Sequence, residues 1–333
     1  MTTAAVIAGI GSSVPGPAVT NDMLAQRLDT TDDWIRSRTG IEARHWIEPG
    51  QATSDLAVEA GSRAIDSAGG DQPQAVVLAT TTPDRPCPAT APEVAWRLGL
   101  EGAAAFDVGA VCSGFLYGLA AGAGLIAAGF AERVLVIGAD TYSTILDPAD
   151  RATGVIFGDG AGAVMLRSGE ATEPGALKAL DLGSDGAGAG LITVPAGGSR
   201  QRSTGSAPPP ADTYFRMAGR EVFRESVLRM VDSCQSVLRR TGWTVDDVDR
   251  LVPHQANLRI MHGVADRLGM ARERAVVDLD RVGNTSAASI PLALARAAAD
   301  GTVQAGHRLL LTAFGGGLTW GSATLTWPDV KPN

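Results

Sequence analysis

From Ala4 to Ala313, apolar runs of strand length alternate with stretches of helical periodicity, and this alternation restricts the chain to an α/β architecture. Ala4–Gly11, Ala75–Thr81, Phe106–Val111, Arg133–Gly138 and Val164–Arg167 read as strands of a mainly parallel sheet. Asn21–Asp29, Thr31–Arg38, Ser54–Ala68, Ala89–Leu98 and Gly114–Ala128 read as the helices between them. Residues 183–210, rich in Gly, Ser and Pro, are expected to run over the surface. The order then resumes with a helix at Met217–Leu238, a strand at Asp249–Val252, a helix at Gln255–Leu268, a strand at Ala275–Leu279, a helix at Ser286–Ala299 and a strand at Arg308–Ala313. Both parts repeat strand, polar residue at its carboxyl end, helix. The expectation is a duplicated unit with its seam near residue 170, giving halves 1–170 and 171–333 and a site between them.

At 333 residues with 45% hydrophobic content and 41 glycines, the chain suits closely packed layers. A net charge of −8 argues against a nucleic-acid partner, which needs a basic face. The first residues lack the basic and apolar regions of a secretory signal, and no apolar stretch approaches the roughly 18 residues of a membrane span. A cytoplasmic protein without membrane contact is expected. The three cysteines, Cys87, Cys112 and Cys234, are far apart and in no CxxC pattern, so they read as reduced thiols with no metal site.

Three of the apolar runs lead into residues with chemistry. Phe106–Val111 precedes Cys112, Asp249–Val252 precedes His254, and Val276–Leu279 precedes Asn284. A thiol with two polar partners points to acyl transfer. The start of a helix at Ser113-Gly114 is expected to lower the thiol pKa, and Gly109, Ala110, Ser113 and Gly114 leave room for a thioester. Glycines in Phe314–Gly317 let backbone amides approach a ligand. Gly158-Asp159-Gly160 lacks the lysine and spacing of a phosphate loop.

The chain resembles the β-ketoacyl-acyl-carrier-protein synthase III family of condensing enzymes. The resemblance rests on Asp32–Ile35 with Arg38–Ile41, Phe106-Asp107 before Cys112, Asp150-Arg151, Ile156–Ala163, Met217–Phe223, Val252–Ile260, Gly283–Ser289 and Phe314–Ser322, all in order and at matching spacings. It implies a thiolase-like fold with duplicated five-layered αβαβα architecture, a homodimer, and no resident cofactor, coenzyme A thioesters being substrates. It also implies that Cys112 accepts the primer from acyl-CoA, and that His254 and Asn284 stabilise the enolate formed when malonyl-acyl carrier protein loses carbon dioxide. The backbone amides of Cys112 and Gly316 would form the oxyanion hole. Trp34 and Arg151 would sandwich the adenine of coenzyme A with Arg38 nearby, and Met217, Gly219, Phe223 and Asn257 would line the pantetheine tunnel. Phe314 and, across the dimer, Cys87 would bound the acyl pocket. The small Cys87 implies a primer longer than acetyl.

Arg216, Arg220 and Arg224 at i, i+4 and i+8 suggest one basic helix face. By resemblance Arg220, Arg224, Arg259 and Arg267 would dock the acidic carrier protein. Val111 and Ser113 depart from the alanines that commonly flank the nucleophile. Acyl transfer to an oxygen or nitrogen acceptor without decarboxylation stays open as the alternative, although Cys112, His254 and Asn284 together favour condensation for fatty-acid or polyketide initiation.

Overall fold

The apolar runs resolve into two large sheets with helices between and outside them. In the computed structural model, which describes residues 3–332, the chain passes through β1 (Thr3–Ser13), β2 (Ala18–Thr20), α1 (Asn21–Ala25), α2 (Asp32–Thr39), β3 (Ala43–His45), α3 (Thr53–Ser67), β4 (Ala75–Ala79), α4 (Ala91–Arg97) and β5 (Ala104–Val108). It continues with α5 (Gly114–Ala127), β6 (Arg133–Thr141), α6 (Arg151–Gly154), β7 (Asp159–Glu170), β8 (Leu177–Ser184), β9 (Ile192–Thr193), α7 (Ser199–Arg202) and β10 (Arg216–Met217). The last part holds α8 (Gly219–Thr241), β11 (Arg250–Pro253), α9 (Leu258–Leu268), α10 (Leu279–Val282), α11 (Ser289–Ala299), β12 (Arg308–Gly315) and β13 (Thr319–Thr326).

The first sheet has the order β1-β7-β6-β4-β5 and the second β11-β12-β13-β8. In the first, β7 alone opposes the common direction: it pairs antiparallel with β1 and β6, while β4 pairs parallel with β5 and β6. In the second, β13 takes that part between β8 and β12, and β11 lies parallel to β12. Alternate side chains of each strand serve different layers. Val77, Val134 and Val136 point into the central core around α5 and α11, whereas Val76, Leu78, Leu135 and Ile137 meet α3 and α4. In the second sheet Leu309 and Leu311 join the central core, and Leu310 faces the α8–α9 side. The result is the layered order αβαβα. Both faces of each sheet are covered, which is why the strands read as unbroken apolar runs. Among the described residues no helix is long and apolar enough to cross a membrane.

Several local expectations are corrected. Ala275–Leu279 is not a strand: Ala275 forms only a single bridge to Leu251, and Leu279 already begins α10. The glycine-rich run is mostly strand, because β7 starts at Asp159; a Cβ on Gly162 would lie 2.7 Å from Pro291 Cβ, so the small residues admit α11. Residues 183–210 are not all surface excursion. Gly183 belongs to β8, and Ile192-Thr193 pair with Met217-Arg216, carrying Ile192 over the site described below. Arg216 therefore lies in β10, leaving only Arg220 and Arg224 on α8.

Candidate active site

Cys112 stands where the chain leaves β5 and turns into α5. The turn is sharp: Val111 has φ +48°, a left-handed value that strains a β-branched residue. Ser113 Oγ donates to Ala110 O at 2.8 Å, and a second 2.8 Å hydrogen bond links it to Thr319 Oγ1. The turn is thereby tied to the start of β13. A Cβ on Gly315 would fall 2.8 Å from Cys112 N and 3.0 Å from Ala110 O, so only glycine lets the end of β12 close over the Cys112 amide. The thiol is buried, and burial pushes its pKa up to about 12, with the Asp140 carboxylate adding to the rise. This overturns the expectation of a lowered pKa: loss of water outweighs what the helix start offers. The Ser286 hydroxyl lies close enough to favour the thiolate, yet it completes no hydrogen bond of its own.

His254 follows β11, and its amide donates to Thr312 O of β12 at 2.7 Å. Burial holds its imidazole down to about 3, so the ring is neutral near pH 7. Nδ1 lies 2.7 Å from Ser289 Oγ at the start of α11. Asn284 is pinned through its backbone, donating to Ile156 O at 2.9 Å and accepting from Gly158 N at 3.0 Å. A Cβ on Gly158 would lie 2.1 Å from Val282 O, which explains the glycine there. The Asn284 Oδ1 accepts from Ser286 N at 2.9 Å, so the amide orientation is fixed and Nδ2 is the free donor.

Between these two sits Gln255, fully buried. Its Nε2 donates to Pro253 O at 2.7 Å and Val276 O at 3.1 Å, and its Oε1 accepts from Asp278 N at 2.8 Å and Leu279 N at 3.2 Å. One side chain thus replaces the ladder that the sequence suggested for Ala275–Leu279, and joins the His254 segment to the one leading to Asn284.

Cys112, His254 and Asn284 line one cavity of about 250 Å³, together with Met217, Gly219, Phe223, Asn257 and Phe314. A second cavity, of about 890 Å³, takes in Val111, Tyr142, Gly316 and Thr319, and shares Ile192 and Phe215 with the first. Asn257 Nδ2 donates to Arg38 O at 3.2 Å, which places the α2 end beside the first cavity. There the guanidinium of Arg151 rests directly over the Trp34 ring, 4.8 Å from its centroid, with Arg38 at 5.5 Å. The open sandwich expected of Trp34 and Arg151 is therefore closed, and a purine would have to displace Arg151. Cys87 is exposed and lines neither cavity, although Pro86 lines the second. Arg220, Arg224, Arg259 and Arg267 are all exposed.

The sequence reading assigned no role to Gln255, Ser286 or Ser289, although each lies within a segment that carried the resemblance; Gly315 was read only as one of the glycines that let backbone amides approach a ligand. Among the described residues no group of His, Cys, Asp or Glu is arranged to hold a metal.

A buried thiol thus shares one cavity with a neutral imidazole and with an amide whose Nδ2 is a free donor, a set of groups whose chemistry is compatible with acyl transfer from a thioester. Comparison with known proteins narrows the class. Residues 106–186 match the family described as 3-oxoacyl-(acyl-carrier-protein) synthase III, and residues 238–327 match its C-terminal part. β-Ketoacyl-(acyl-carrier-protein) synthase III 5 of Streptomyces coelicolor is 61% identical over 330 residues, covering 99% of each chain. The crystal structure of 3-oxoacyl-(acyl carrier protein) synthase III from Pseudomonas aeruginosa PAO1 superposes with a TM-score of 0.93 at 52% identity, covering 99% of this chain and 100% of that one. A priming β-ketosynthase from a polyketide biosynthetic pathway superposes with a TM-score of 0.90 at 33% identity, over 98% and 96% of the two chains. The chain belongs to the β-ketoacyl-acyl-carrier-protein synthase III family, and it is a condensing acyltransferase of the thiolase-like fold.

Proposed function

We propose that Cys112 takes an acyl group from acyl-CoA and that the acyl-enzyme condenses with malonyl-acyl carrier protein. In the first half-reaction Sγ attacks the thioester carbonyl, the C–S bond to coenzyme A breaks, and the thiol proton leaves with the coenzyme A sulfur. In the second, the malonyl carboxylate leaves as carbon dioxide and its electron pair forms an enolate. The enolate oxygen accepts hydrogen bonds from His254 Nε2 and Asn284 Nδ2, while its carbon attacks the acyl carbonyl. The backbone amides of Cys112 and Gly316 hold the resulting oxyanion, which collapses and expels the Cys112 sulfur to take up a proton.

The observation that carries this reading is the presence of a buried thiol, a neutral imidazole and an amide donor in one cavity. An imidazole that burial keeps from taking up a proton, and an amide, suit enolate stabilisation, whereas transfer to an oxygen or nitrogen acceptor would call for a group able to accept that acceptor's proton. Mass spectrometry of the intact protein after incubation with acyl-CoA tests it. An adduct is expected that vanishes in Cys112→Ala. His254→Ala and Asn284→Ala should keep acylation and lose malonyl decarboxylation by on the order of 100- to 1000-fold. An adduct on Cys87 or Cys234, or near-normal decarboxylation in both variants, would overturn the assignment.

The remaining roles extend the same reading. Met217, Gly219, Phe223 and Asn257 line the pantetheine path, with Trp34, Arg38 and Arg151 meeting the adenine. Arg220, Arg224, Arg259 and Arg267 offer an exposed basic surface for the carrier protein. The enzyme acts as a homodimer in which Cys87 of one subunit reaches the acyl pocket of the other. The two halves meet near residue 170, between β7 and β8.

A further inference from the structure

We propose that Ser289 is a positioning residue that sets the tautomer of His254: its hydroxyl donates to Nδ1, so the ring proton stays on Nε2. The inference deepens the condensing role above and rests on it for its catalytic meaning. Both groups are buried, and the contact is 2.7 Å. Among the described residues the imidazole has no other hydrogen-bond partner. A neutral imidazole carries one N–H and one lone pair, so the nitrogen that meets Ser289 decides what the other can do. If Nδ1 carried the proton, Nε2 would present a lone pair to the cavity and repel the enolate oxygen. If Nδ1 accepts, Nε2–H becomes the donor that the enolate requires.

The surroundings favour the second arrangement. Ser289 is the first residue of α11, an 11-residue helix, and the positive end of a helix attracts a lone pair rather than an N–H. Burial, which holds the ring down to about 3, keeps this choice between two neutral forms across the working pH range. Asn284 follows the same logic: the Ser286 amide occupies its oxygen and leaves its Nδ2 as donor. Two serines from one turn, Ser286 by backbone and Ser289 by side chain, thus orient the two donors.

The experiment is nitrogen NMR of the enzyme labelled with ¹⁵N-histidine, assigned against His254→Asn, alongside assays of the two half-reactions. A pyridine-type shift at Nδ1 and a pyrrole-type shift at Nε2 of His254 are expected. In Ser289→Ala the pattern should become mixed, and malonyl decarboxylation should fall about tenfold with a smaller change in Cys112 acylation. Ser289→Thr, which keeps the hydroxyl, should restore both the shift pattern and the rate. A protonated Nδ1 in the wild type, or an unchanged pattern in Ser289→Ala, would overturn the proposal. Absence of decarboxylation by the wild type would instead count against the condensing role, leaving the tautomer to be read from the spectrum.

Discussion

Cys112 starts its reaction as a thiol, because burial has raised its pKa to about 12. The consequence is measurable with iodoacetamide: alkylation of Cys112, followed by peptide mapping, should rise about tenfold per pH unit from pH 7 to 9. A plateau in that range would mean a thiolate already formed at neutral pH. His254 carries a second pH signature. Its folded pKa of about 3 lies below the ordinary 6.5, so between these values the unfolded chain binds a proton that the folded one refuses. This residue therefore costs stability as pH falls through 6.5 toward 3. His254→Asn removes the penalty, and its melting temperature relative to wild type should improve between pH 7 and pH 5. At this scale the cavity that Cys112, His254 and Asn284 share was legible because each follows an apolar run. Ser289 was not, since a serine reveals its role only once the imidazole it touches is in place.

Gln255 shows what periodicity misses among the elements. Val276 and its neighbours are apolar enough to suggest a strand, but beyond one bond from Val276 N to Leu251 O their backbone groups are taken by one side chain instead of a ladder. Gln255→Ala should destabilise the fold by about 3 kcal/mol or more, since several buried backbone groups lose their partners at once. Denaturant unfolding measures this, and a loss below about 1 kcal/mol would show that the segment repacks without it. The end of β12, where it runs into the loop before β13, permits a different test. Gly315→Ala drives a methyl group into the Cys112 amide and, with that amide in the proposed oxyanion hole, should slow both half-reactions. An effect confined to decarboxylation would place the loop elsewhere in the mechanism. The glycines of β7 show a related ambiguity: residues chosen for the close approach of α11 look, in sequence, like residues chosen for a turn.

Across the whole molecule, the layers were legible from the alternating runs, and the partner surfaces were less so. β5 ends the first sheet as an edge strand with Phe106 exposed, and an uncovered edge of this kind pairs readily with another chain. Sedimentation should give a dimer, and Phe106→Asp should shift it toward monomer if β5 forms the contact. With the dimer intact, Cys87→Phe should move primer preference toward acetyl-CoA. Two methylenes of lost space, at about 0.8 kcal/mol each, correspond to roughly tenfold in kcat/KM. An unchanged ranking of acetyl-, butyryl- and hexanoyl-CoA would show that Cys87 is interface packing alone. The first cavity has a last consequence, because Cys112, His254 and Asn284 share it and both thioesters must reach them through it. The two substrates take turns in one passage. Spent coenzyme A should then compete with malonyl-acyl carrier protein for the acylated enzyme, and initial-rate plots against the two substrates should run parallel.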